Sequence, residues 1–417
     1  MLYECWRAVA AARGGELALL DAVAGRSWTF AQLAAEAERA PAVSEPVIFP
    51  SGMGAEFILD VLRGWRAGRI VCPLEAGQTP LAGPWPAAPC VHLKTTSATT
   101  GRPRLIAFTA EQLAADAANL VATMGLQPDW PNVAVLSLAH SYGFSNLVTP
   151  LLLHGIPLRL GGSALPEALR RAAEGAAAVT LPAVPALWRA WQDARAIPAH
   201  VRLAISAGAP LPLALEREVF DASGLKLHNF YGASECGGIA YDRTEIPRSD
   251  AALAGTPVEQ VSLDLAADGC LEIRGPNVAT GYWPEPDASL AAGCYHAADL
   301  AELREARVFL LGRASDVINV AGRKVAPETV ERALLEHPAV REALVLGLPA
   351  DGGRGEVIAA VVVCQPAVTE QELKLFLLKG LPAWQVPRRW CFEQSPLANS
   401  RGKIARAQWR DRLSLRQ

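Results

Sequence analysis

The chain has 417 residues, of which 51% are hydrophobic and 19% charged, with a formal net charge of −3. That length allows about two or three domains around a large core, and the balance excludes the basic bias of a nucleic-acid binder or of a protein held on an anionic membrane. The eight cysteines are scattered and form no Cys-x-x-Cys pair, so they read as reduced core residues and not as a disulfide framework or a zinc site.

Thr29-Phe30-Ala31-Gln32 is a capping box that opens an alanine-rich helix running to about Arg39. Short apolar runs at 47–49 and 69–72, each bounded by Pro or Gly, predict buried strands around a helix near 55–65. Residues 77–89, rich in proline and small side chains, form a connector. The strand-like run at 90–93 leads into Thr96-Ser97-Ala98-Thr99-Thr100-Gly101-Arg102-Pro103-Arg104, and an apolar run at 105–108 follows. Four hydroxyls, a glycine and two arginines in nine positions offer donors and fixed positive charge to a polyanion such as a triphosphate. The same stretch, taken alone, also reads as an ordinary Ser/Thr-rich turn. It is not a Walker loop, because no Gly-Lys-Ser/Thr ends it.

A second capping box, Thr109 to Gln112, opens the next helix. Strands are predicted at 133–138, 156–160, 177–181, 201–206 and 225–230, with helices at 166–173 and 186–194 between them. This alternation predicts an α/β fold with a mainly parallel, helix-covered sheet, in which ligands collect at the carboxyl ends of the strands. After about residue 240 the pattern changes to a hairpin whose second arm is 269–275. Past Gly312 the elements shorten into a small α+β unit: a helix at 327–336, strands at 342–348 and 357–364, and a third capping box at Thr369. The expected division is 1–312 and 313–417.

These turns, in this order, resemble the adenylate-forming superfamily of acyl-CoA synthetases, peptide-synthetase adenylation domains and luciferases. Thr96 to Arg104 resembles its phosphate motif. Gly208-Ala209-Pro210 resembles the turn lining adenine, and Tyr231-Gly232-Ala233-Ser234-Glu235 resembles the Tyr-Gly-x-Thr-Glu motif. Gly269 to Tyr282 resembles a third motif. Asp299 matches the ribose aspartate, Gly312-Arg313 begins the hinge motif, and Pro396 to Ile404 resembles the segment that carries a mobile catalytic lysine.

The resemblance implies a large N-terminal domain, in which residues 1–90 form a shortened subdomain, and a small, mobile C-terminal one. It implies that Thr96, Ser97, Thr99, Thr100, Gly101 and Arg104 bind phosphates, and that Gly208, Ala209, Pro210, Asn229, Tyr231, Gly232, Ser234, Asp299 and Arg313 hold the rest of the nucleotide. Glu235 is the expected Mg²⁺ ligand, a hard oxygen donor between phosphates. Lys403 is the expected cation on the α-phosphate. His140 and Tyr142, with Gly232, are expected to border the acyl site, His140 as a gating or catalytic residue. ATP and Mg²⁺ are the implied cofactors, and a carboxylic acid, aryl or medium-chain, is the implied substrate. CoA or a carrier-protein phosphopantetheine is the implied acceptor. No nucleic acid or membrane partner is expected, and the cytoplasm is the expected compartment.

Several positions depart from the family pattern: Ala98 replaces glycine, Arg104 replaces lysine, Ala297-Ala298 precede Asp299, and Ser315 and Asn319 stand where other residues are usual. They leave open a second reading, a catalytically weak nucleotide-binding sensor or scaffold of the same fold.

Overall fold

The computed structural model describes residues 1–41, 43–80, 82–95, 104–350, 355–365, 367–397 and 406–414. Its main sheet has a parallel half and an antiparallel half. The parallel half runs through Leu227–Ala233, Val201–Ser206, Val179–Ala183, Asn132–Ala134, Leu158–Leu160 and Leu17–Asp21. The strand Val179–Ala183 is buried at every position, as a strand covered on both faces must be. Beyond Leu227–Ala233 the sheet continues antiparallel through Gly237–Tyr241, Leu253–Pro257, Arg307–Arg313, Cys294–Arg304, Cys270–Arg274 and Ser262–Leu265. The expected hairpin at 269–275 is therefore present, with Ser262–Leu265 as its first arm.

A second sheet has the order Gly281–Trp283, Leu105–Thr109, Cys90–Thr95, Ile70–Val71, Val47–Ile48. Residues 1–90 thus contribute to both sheets. Their opening helix, Leu2–Ala12, has no counterpart in the sequence reading: Met1 is a poor capping residue, and the signal lies in the fourfold spacing of Leu2, Trp6 and Ala10, all buried. The capping boxes at Thr29, Thr109 and Thr369 all form, each threonine accepting the backbone N–H of the residue three further on. The strand expected at 133–138 pairs only over Asn132–Ala134. The chain then leaves the ladder to pack the Ser137 carbonyl under Gly143, where a Cβ would stand 2.0 Å from that oxygen.

The main core packs Trp6, Phe30, Phe57, Phe108 and Phe144 into one cluster, and a second cluster surrounds Trp188 and Trp191. Residues after 318 make their own core of Val330, Leu334, Val345, Val362, Leu373 and their neighbours. The antiparallel pair Val340–Pro349 and Glu356–Cys364 supplies its strands, with Arg389–Glu393 alongside. This is the smaller C-terminal domain that the sequence pattern leads one to expect.

Candidate active site

The parallel strands deliver their carboxyl ends to one edge, and the candidate residues lie along it. Ser206 pairs with Asn229 and with Ala183, so the turn after Val201–Ser206 and the strand carrying Tyr231 are neighbours. Gly208 has φ +83°, a left-handed conformation that suits glycine, and Gly208, Ala209 and Pro210 are exposed. Asn229 is held by its side-chain amide, which donates to the Leu253 carbonyl at 3.2 Å. Gly232 lies so close to the returning strand that a Cβ would meet the Gly237 carbonyl oxygen at 2.5 Å. The tight return places Ser234 and Glu235 in the turn between Leu227–Ala233 and Gly237–Tyr241.

Two carboxylates are held separately at this edge. The Tyr231 hydroxyl donates to Asp299 Oδ2 at 2.6 Å, and Arg313 Nε lies 3.6 Å from Asp299 Oδ1. Burial, with the Asp299 charge next, pushes the Tyr231 hydroxyl well above its ordinary pKa, so it remains a donor. Asp299 and Arg313 face each other across the pair Cys294–Arg304 and Arg307–Arg313. Glu235 Oε1 accepts a hydrogen bond from the Tyr282 hydroxyl at 2.9 Å. Burial and then Glu235 raise the Tyr282 pKa, which again fixes the direction of donation.

Tyr282 connects Glu235 to the end of the phosphate-like stretch. Its strand pairs with Leu105–Thr109, and the Arg104 guanidinium lies 3.7 Å from its ring centroid. Arg104 also pairs with Asp287 at 3.2 Å. Thr96, Ser97, Thr99, Thr100 and Gly101 lie outside the described residues, as does Lys403. The flanking strands Cys90–Thr95 and Leu105–Thr109 are antiparallel partners, with Thr95 opposite Leu105. Tyr282 and Asp287 were not singled out from the sequence, although Tyr282 closes the third motif.

The segment expected on the acyl side follows the strand Asn132–Ala134. His140 Nδ1 accepts the Tyr142 N–H at 3.3 Å, so the imidazole caps the short helix Ser141–Gly143. Tyr142 packs on Phe230 with ring centroids 6.0 Å apart, and its hydroxyl donates to the Ile205 carbonyl at 3.4 Å. One turn of π-helix, Phe144–Val148, joins this cap to the helix Thr149–His154. Behind it sits a buried polar network. Lys94 Nζ donates to Ser145 Oγ at 3.3 Å, Ser145 donates to Asp116 Oδ2 at 2.6 Å, and Asp116 Oδ1 accepts the Gly238 N–H at 3.0 Å. Burial lowers the Lys94 pKa while Asp116 works against it. Only the sequence's hydrophobic frame was legible here, because the partners come from separated segments.

In the small domain, Arg406 gathers Asp316 at 3.3 Å, Glu328 at 3.3 Å and Glu331 at 2.9 Å. Asp316 ends the single turn Ala314–Asp316 that follows Gly312-Arg313, so the residue after Ser315 supplies the acid at this position. Arg332 crosses back to the large domain, donating to the Leu310 carbonyl at 2.9 Å.

Residues 82–283 match the family model described as AMP-binding enzyme, and residues 329–401 match the AMP-binding enzyme C-terminal domain. A probable 2-succinylbenzoate–CoA ligase from Mycobacterium tuberculosis is 32% identical over 314 residues, covering 70% of this chain and 77% of that protein. A 2-succinylbenzoate–CoA ligase from Bacillus cereus is 29% identical over 332 residues, covering 76% and 68%. Among solved structures, o-succinylbenzoate CoA synthetase from Bacillus subtilis in complex with its acyl-adenylate intermediate superposes with a TM-score of 0.84 at 21% identity, over 98% of both chains. An anthranilate CoA ligase in complex with anthranoyl-AMP superposes with a TM-score of 0.87 at 19% identity, over 100% of this chain and 98% of the other. The family-model matches include Glu235 and the Arg104–Tyr282 stack and extend into the smaller domain, and the chain belongs to the AMP-binding enzyme family.

Proposed function

We propose that this ligase activates an aryl carboxylic acid with ATP as an acyl-adenylate, releasing pyrophosphate, and then passes the acyl group to the thiol of CoA. The observation that carries the reading is the separation of the two carboxylates along one strand edge. Asp299, held by Tyr231 and Arg313, has lone pairs suited to ribose hydroxyls. Glu235, held by one hydroxyl and partly exposed, suits a hard cation. Mg²⁺ held by Glu235 would neutralise phosphate charge. The chain's own residues do the rest: Tyr231 offers a ring face for adenine beside the Gly208–Pro210 turn, and Arg104 supplies fixed charge at the end of the phosphate stretch. Thr96, Ser97, Thr99, Thr100 and Gly101 are proposed phosphate donors, and Lys403 the cation for charge developing on the α-phosphate. The domain boundary is placed at Gly312-Arg313.

The segment read as the acyl side, 137–145, contains no carboxylate of its own, which speaks against an α-amino acid and leaves the choice of aryl over medium-chain acid to rest on the named relatives. The nearest one from elsewhere, Asp116, is already engaged by Ser145 and Gly238 within the Lys94 network. An unpaired substrate ammonium there would be costly. The relatives named for succinylbenzoate and anthranilate favour the aryl class. Carboxylate-dependent ATP–pyrophosphate exchange across benzoates, fatty acids and amino acids tests the first step, and thioester formation with CoA tests the second. Exchange with amino acids alone overturns the aryl assignment. No exchange with any acid, in a chain that binds ATP, favours the sensor reading raised by Ala98 and Ala298. CoA turnover absent where an acyl carrier protein is loaded reassigns the acceptor.

A further inference from the structure

Away from the nucleotide edge, the antiparallel end of the main sheet gathers a second set of donors. Asp268 lies in the turn between Ser262–Leu265 and Cys270–Arg274, Cys270 opens the latter strand, and His296 reaches over from Cys294–Arg304. One ligand atom from each lies within 4.8 Å of the other two. His296 Nε2 is 3.2 Å from Asp268 Oδ2. Glu272, partly exposed between the buried Leu271 and Ile273, is the cross-strand partner of His296. Cys270 is itself buried, at 2% exposure, and pairs with Leu300 across an irregularity in the ladder.

A second observation concerns the other imidazole nitrogen. His296 Nδ1 faces Glu272 Oε1 at 3.9 Å, while the other Glu272 oxygen pairs with Arg274 at 3.0 Å. Metal-bound histidines characteristically direct their second ring nitrogen at a carboxylate, which fixes the tautomer. Bond lengths of about 2.0–2.3 Å place the ligands of a tetrahedral zinc ion within about 4 Å of one another. The donors are therefore within small side-chain rotations of that arrangement. A thiol and an imidazole select against the hard cation that Glu235 suits.

We propose that Asp268, Cys270 and His296 form a site for one borderline-soft divalent cation, Zn²⁺ being the natural occupant, with water as the fourth ligand. Cysteine spacing along the chain does not reveal it because the ligands come from two strands. The ion would brace Cys270–Arg274 against Cys294–Arg304, three residues before Asp299.

Co²⁺, added to the untagged, reduced full-length chain, is the probe. The expected result is a thiolate-to-cobalt charge-transfer band with tetrahedral visible absorption, saturating at one equivalent and displaced by Zn²⁺. The band should survive Cys5→Ser, which removes the exposed thiol, and vanish in Cys270→Ser. Zn²⁺ should raise the melting temperature of the wild-type chain and leave that of His296→Ala unchanged. His296 is partly exposed, so this variant serves as the comparison should Cys270→Ser not fold. No band at several equivalents, a band that persists in Cys270→Ser, or an equal Zn²⁺ shift in His296→Ala would overturn the site.

Discussion

Asp299 and Glu235 are both acids at one strand edge, and their neighbours differ. Asp299 is held by a hydroxyl and faces a guanidinium, whereas Glu235 has one hydroxyl donor. Glu235→Gln keeps the shape and removes the charge. Adenylation in the exchange assay should fall about a hundred- to a thousandfold, with the melting temperature nearly unchanged, and wild-type turnover would remove Glu235 from the site. Tyr231→Phe keeps the ring and removes the bond to Asp299. A hydrogen bond to a charged group contributes about 1.5–3 kcal/mol, so KM for ATP should rise roughly tenfold or more, while kcat for the acid falls less. Tyr231, Glu235 and Asp299 were legible as candidates because each sits in a recognisable motif. Tyr282 was not, because a tyrosine at a motif's end becomes informative only when the strand Gly281–Trp283 is seen to lie against Leu105–Thr109 and under Arg104.

Pairing between segments explains what pattern reading reached and where it stopped. Capping boxes are local, and all three formed; the helix at Pro166–Ala173 and the strand at Val201–Ser206 were placed to the residue. The Lys94–Ser145–Asp116 network is nonlocal and left no trace in any single stretch. It sits where Cys90–Thr95, the helix Ala110–Met124 and the π-turn meet, with Lys94 only 4% and Asp116 3% exposed. Lys94 reaches Asp116 through Ser145, and Asp116 keeps the Ser145 and Gly238 donors when Lys94 is removed, so Lys94→Met should cost about 1–3 kcal/mol in denaturant titration. Lys94→Met with Asp116→Asn should recover much of that loss. Equal destabilisation by the single and the double change would mean that the two groups do not act as a pair.

The smaller domain is tied together by charge that the sequence shows only as scattered acids. Burial pushes Glu331 up to about 7, with Glu328 adding to the rise and Arg406 opposing it. A carboxyl whose folded pKa is raised binds its proton more tightly when folded, so its contribution to stability is greatest below the unfolded value. That contribution falls as pH rises from about 4.5 to about 7. Arg406→Met removes the opposing cation and should extend this loss of stability above pH 7, visible as a melting temperature that continues to drop in the variant after the wild type has levelled. If the two slopes coincide, Arg406 does not neutralise Glu331. On the proposal that Lys403 serves adenylation and that the small domain turns away for the second step, Lys403→Ala should slow acyl-adenylate formation about a hundredfold and spare thioester formation from supplied acyl-adenylate. Ser315→Pro, in the exposed turn Ala314–Asp316, should cripple one half-reaction more than the other. Equal losses of both steps in both variants would argue against alternation.

The π-turn at Phe144–Val148 has a consequence for how this protein tolerates change in length. A π-turn accommodates one residue more than the α-helical repeat requires, and an α-helix rotates by about 100° per residue. Deleting a single codon within this turn would convert it to plain helix. The deletion could leave the buried face of Thr149–His154 in register, while drawing His140 and Tyr142 back by one residue's rise. Elsewhere in a core helix the same deletion would turn apolar side chains out into solvent. A deletion in this turn therefore gives the segment carrying His140 and Tyr142 a means of changing its reach while the sheet beneath it keeps its packing.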